Sequence, residues 1–83
     1  MDPEELARKI AELNRCANGV GGQAQAVRAI ANQIGSLVQS TEWTGNRAQE
    51  FYNRAHQAQL DLEAWASRLE RLEADVRQAA REL

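Results

Sequence analysis

Gln39-Ser40-Thr41-Glu42-Trp43-Thr44-Gly45-Asn46 lies at the middle of this 83-residue chain and breaks the pattern on either side of it. The segment is polar, rich in helix-capping types and closed by a glycine, which is the composition of a turn. Upstream, apolar or small residues fall at Leu6, Ile10, Leu13, Ala17, Val20, Ala24, Val27, Ala31, Ile34 and Val38. Those steps alternate four and three throughout, the stripe of a helix lying against another helix. Downstream a second stripe reads Ala48, Phe51, Ala55, Ala58, Leu62, Trp65, Leu69, Leu72, Val76, Ala79 and Leu83. A turn this short between two stripes of matched length makes the helices antiparallel neighbours. The expected fold is all-α: one hairpin over 1–83, with a helix at about 3–39, the turn at about 40–46 and a helix at about 47–83.

The ends of the two helices carry their own signals. Asp2 is placed to cap free amides, Pro3 suits the first helical position, and Glu5 completes a capping-box-like pair. Asn46 followed by Gln49 is a weaker start signal for a second helix near Arg47. Glu4–Arg8, Glu5–Lys9 and Glu73–Arg77 stand four apart, the spacing at which opposite charges support a helix. Against continuity stands Asn18-Gly19-Val20-Gly21-Gly22. Each glycine costs a helix about 0.8–1 kcal/mol relative to alanine, and a loop here would make three helices instead of two. The stripe crosses the glycines without a phase slip, however, which a loop has no reason to preserve. One helix, weak or kinked there, is the expectation.

Two helices shield each stripe on one side only. In the first helix Cys16, Ile30 and Leu37 widen the apolar face, and in the second Leu60 points away from the stripe. Together with Phe51, the residues Ile30, Leu37 and Leu60 are the candidate partner interface, and dimerisation into a four-helix bundle would cover them. Trp65 falls inside the second stripe, so a core role is expected for it.

Composition excludes several classes of function. A formal net charge of −2, with acidic and basic residues interspersed, offers no clustered positive footprint for nucleic acid. Cys16 is the only cysteine, so no disulfide forms within the chain. No apolar run reaches the roughly 18 residues of a membrane span. The start Met1-Asp2-Pro3-Glu4-Glu5 lacks the basic and apolar segments of a cleavable signal peptide. The expected location is therefore the cytoplasm, or the outside of the cell by a route that reads the folded chain. Catalysis needs converging groups, yet His56 is the sole histidine and stands among Ala55, Gln57 and Gln59. Glu63, Glu70, Glu73 and Asp75 are interleaved with Arg68, Arg71 and Arg77 as a solvated, ion-paired face. No catalytic, cofactor-binding or metal site is expected.

Trp43-Thr44-Gly45 is the remaining signal. A large apolar ring in a polar turn either folds back onto the hairpin or meets a partner. Gly45 offers positive φ or a close backbone approach. With Ala48 and Phe51 following five and eight residues after the tryptophan, the chain resembles the WXG family of small helical hairpins, similar to the early secreted antigens of type VII secretion. The resemblance covers nearly the whole chain. It implies export without a cleaved signal peptide, as a folded homodimer or heterodimer with a related hairpin, with Trp43 and Gly45 in the export motif and the secretion machinery as partner. Family members commonly add a tail with a tyrosine followed four residues later by an acidic residue. Here the only tyrosine, Tyr52, is followed at that spacing by His56, and the second stripe is still in phase at Leu83. A removed tail, a tail supplied by a partner, or export through other features would each account for this departure. Two other readings remain: an intracellular coiled-coil adaptor in which Trp43 only plugs the turn, and the amino-terminal targeting domain of a longer exported toxin.

Overall fold

The computed structural model describes residues 2–83; Met1, the first residue of the acidic start, lies outside the described part. Two helices fill it, α1 (Pro3–Ser40) and α2 (Gly45–Glu82), packed against each other as an antiparallel hairpin. The rod is 67 Å long and 14 by 12 Å across. Its radius of gyration of 19.1 Å far exceeds the ~12 Å of a compact globule of this length.

Asp2 caps α1, its carboxylate accepting a bond from the Glu4 amide at 3.3 Å, and Pro3 opens the helix as its sequence position predicts. α1 then runs unbroken through Gly19, Gly21 and Gly22. The glycines are not equivalent. A Cβ on Gly21 would stand 2.6 Å from the Glu73 carboxylate, whereas Gly19 and Gly22 face open space. Gly35, buried in α1, plays the same part as Gly21 towards Gln59. The turn is shorter than expected, Thr41 to Thr44. α2 starts at Gly45 with Thr44 as N-cap, two residues ahead of the Asn46 signal. Of the three i,i+4 pairs, Glu73–Arg77 closes at 2.8 Å, and an unforeseen interhelical pair, Arg28–Glu70, closes at 2.7 Å.

The first stripe faces α2 as its spacing predicts: Ala17, Ala24, Ala31 and Val38 are buried, and Leu6, Ile10, Leu13, Val20, Val27 and Ile34 are half-buried. The second stripe needs correction in one of its two columns. Ala48, Ala55, Leu62, Leu69 and Val76 do face the seam, but Phe51, Ala58, Trp65, Leu72 and Ala79 are exposed. Their place is taken by Tyr52, Gln59, Ala66, Glu73 and Ala80, with Ala66 and Ala80 buried. Trp65, expected in the core, is 52% exposed. The reason is size. Ala17, Ala24 and Ala31 with Gly21 and Gly35 present a face that lets the opposing helix come close, and Trp65 in the place of Ala66 would hold the helices apart. Tyr52, no smaller than Phe51, is accommodated against the Trp43 ring of the turn. Dispersion and the exclusion of water both reward the closer approach. Gln59 and Glu73 are tolerated because each lies over a glycine and keeps its polar end bonded, to Glu63 and Arg77 respectively.

Candidate functional site

The turn forms one end of the rod. The last carbonyls of a helix lack intrahelical partners, and α1 has no basic residue in its last turn to meet them. Thr41 Oγ1 donates to the Leu37 carbonyl at 2.7 Å, and Trp43 Nε1 donates to the Val38 carbonyl at 2.8 Å. The tryptophan thus folds back onto its own hairpin as a cap for α1. Its ring meets Tyr52 edge-on with centroids 5.8 Å apart, and Tyr52 stacks on His56 at 5.9 Å. Gln49 Nε2 donates to the Trp43 carbonyl at 3.2 Å, tying the turn to the second turn of α2. Gly45 has φ +83° with open space where a Cβ would stand. The position therefore calls for glycine through backbone conformation and not through crowding.

The long sides of the rod differ. Arg28 and Glu70, each four residues after a seam alanine (Ala24 and Ala66), bond across one flank, which also carries the Arg77–Asn18 contact at 2.8 Å. In an antiparallel pair of right-handed helices, equivalent positions share a flank. The columns one residue before the seam, Lys9–Cys16–Gln23–Ile30–Leu37 on α1 and Phe51–Ala58–Trp65–Leu72–Ala79 on α2, therefore lie together on the opposite flank, which is apolar along its length apart from Lys9 and Gln23. The contacts of Arg28 with Ser67 and of Asn18 with Arg77 set residues whose numbers add to 95 abreast. By that register Ile30 lies level with Trp65, Leu37 with Ala58 and Gln23 with Leu72.

Of the interface residues read from the sequence, Ile30, Leu37 and Phe51 come together on this apolar flank, at 48%, 65% and 59% exposure. Leu60 does not join them: it stands one residue after the seam, on the flank of Arg28 and Glu70. Trp65 and Leu72 belong to the flank and were missed because hydrophobicity alone assigned them to the core. Gly21 and Gly35, level with Glu73 and Gln59, were the available signal for the true seam. Trp43 and Gly45 sit at the turn as expected, and Tyr52, missed, is the surface on which the Trp43 ring rests.

Among the described residues no three His, Cys, Asp or Glu side chains come together as a metal site. No helix there is long and apolar enough to cross a membrane. The chain matches no family model, no curated protein and no solved structure.

Proposed function

We propose that this chain is a WXG-type hairpin that acts by pairing with other helices, without enzymatic activity, as a substrate or export partner of a type VII secretion system. The observation that carries the proposal is that Trp43-Thr44-Gly45 runs from the turn into the first residue of α2, where two 38-residue helices join. There the ring is held in one orientation by the Val38 carbonyl and Tyr52. A fixed aromatic feature at the end of a rod, beside an uncovered apolar flank, suits recognition of a folded particle. Dimerisation covers the flank, and the turn remains outside for the export machinery.

A second reading is favoured by the same contacts. Trp43 already has its N–H bonded and its ring packed within the hairpin, which is what a turn plug in a coiled-coil adaptor requires. Export separates the two. The wild-type chain and its Trp43→Phe and Trp43→Ala variants are expressed in a bacterium carrying the secretion system, with folded protein quantified in medium and cytoplasm. Export of the wild type, with Trp43→Ala folded but retained, supports the export motif. A wild type confined to the cytoplasm defeats it and leaves the adaptor.

A further inference from the structure

The flank that carries Trp65 and Leu72 has a rim with an unusual arrangement of charge. Along the outer edge of α2, Arg47, Arg54, Asp61, Arg68, Asp75 and Glu82 recur every seven residues. Read in either direction, this row is its own complement: plus, plus, minus, plus, minus, minus. Among the described residues none of the six closes an ion pair within the hairpin. Asp61 accepts only from the neutral amide of Gln57 and Glu82 only from that of Gln78.

We infer that the apolar flank is an interface for a second copy of this chain, packed antiparallel about a twofold axis between Asp61 and Arg68. This deepens the pairing part of the proposed function and does not depend on export. In that register Arg47 meets Glu82, Arg54 meets Asp75 and Asp61 meets Arg68 of the second copy, and each pair occurs twice. A shift of one heptad in one direction sets Arg54 against Arg68 and Asp61 against its own copy. A shift the other way sets Asp61 against Asp75 and Arg68 against its own copy. Like charges placed opposite one another disfavour both alternatives.

The apolar column obeys the same axis. Trp65 meets its own copy, Phe51 meets Ala79, and Leu72 meets Ala58, so a large side chain faces a small one on either side of the centre. On α1, Ile30 meets its own copy and Leu37 meets Gln23; of the outer-edge row, Gly19, Ala26, Gln33 and Ser40 add no charge, and Glu5 and Glu12 fall beyond the end of the second copy's α1. Surface area points the same way. The chain exposes 6267 Å², whereas a compact monomer of 9.3 kDa exposes about 5,000 Å². The excess of roughly 1,300 Å² per chain is enough to supply a stable protein–protein interface.

The test is sedimentation equilibrium of the full chain from micromolar to millimolar concentration, with helicity followed by circular dichroism. The wild type is expected to dimerise, with Trp65 fluorescence shifting to shorter wavelength in a Trp43→Phe background as it does so. Asp61→Arg or Arg68→Asp alone places two like-charged pairs at the centre and weakens the dimer about tenfold. The double swap, Asp61→Arg with Arg68→Asp, restores it. Positions 61 and 68 are about 10.5 Å apart along one helix, so the rescue reports contact between chains. A mixture of the two single variants forms the mixed dimer in preference to either homodimer. A wild type that stays monomeric, or a dimer whose constant ignores the single reversals, overturns the inference.

Discussion

The seam and the apolar flank of this hairpin are built on opposite rules. The seam is lined where it is tightest by Ala17, Ala24, Ala31, Ala66 and Ala80, while Phe51, Trp65 and Leu72, the bulkier residues, stand on the flank. Both surfaces repeat every seven residues on the same helices, so periodicity does not separate them. Separation comes from how near two helices can approach. Small faces allow many weak contacts at short range, and the column that carries Trp65 is left exposed beside them. A hairpin made this way closes its seam and leaves an apolar flank exposed.

The sharpest way to break this comparison is to make one substitution on both surfaces. Ala66 is fully buried and Ala58 is exposed, both on α2. Ala66→Gln forces a longer side chain and a polar end between the helices, and is expected to destabilise the hairpin by about 1–3 kcal/mol. Urea denaturation at concentrations where the chain is monomeric measures this. Equal costs at Ala66 and Ala58 would sink the assignment of the seam.

Next in size are the glycines. Gly22→Ala adds a methyl group in open space and should stabilise by about 0.8–1 kcal/mol through helix propensity. Gly21→Ala gains the same propensity but must displace the Glu73 carboxylate, so thermal melting should give it the smaller gain. A larger gain at Gly21 would mean that Glu73 does not lie over that glycine.

Arg28→Ala tests the charged flank. Its pair with Glu70 is 40–50% exposed, so the loss should be about 0.2–1 kcal/mol and should shrink as salt is added. A loss insensitive to salt would point to packing by the arginine stem instead of charge. Smallest of all is Ala58→Gln, expected within about 0.5 kcal/mol of the wild type in the monomer.

Much of this was legible in the sequence, and the failures have a common cause. The turn around Trp43, the cap at Asp2, the continuous α1 and its seam all follow from local signals: capping types, a proline, an unbroken four-three alternation. The second helix was harder. Phe51, Trp65 and Leu72 outscore Tyr52, Gln59, Ala66, Glu73 and Ala80 on hydrophobicity, so pattern reading put the wrong column against α1. At the candidate site, Gly45 announced its positive φ, but the bond from Trp43 to the Val38 carbonyl and the edge contact with Tyr52 did not show in the spacing. Leu60 groups with Ile30, Leu37 and Phe51 in the sequence on apolar character alone, and spacing on separate helices does not assign a shared flank.

By itself, then, the sequence determined the two helices, their antiparallel path and the place of the turn, because these depend on interactions within a few residues along the chain. Only the tertiary structure decided which column of α2 meets α1, where Trp43 rests and which exposed residues form one surface. Those outcomes turn on the distance between two helices, and that distance is set jointly by small residues such as Ala31 and Gly35 on one strand of the hairpin and Gln59 and Ala66 on the other.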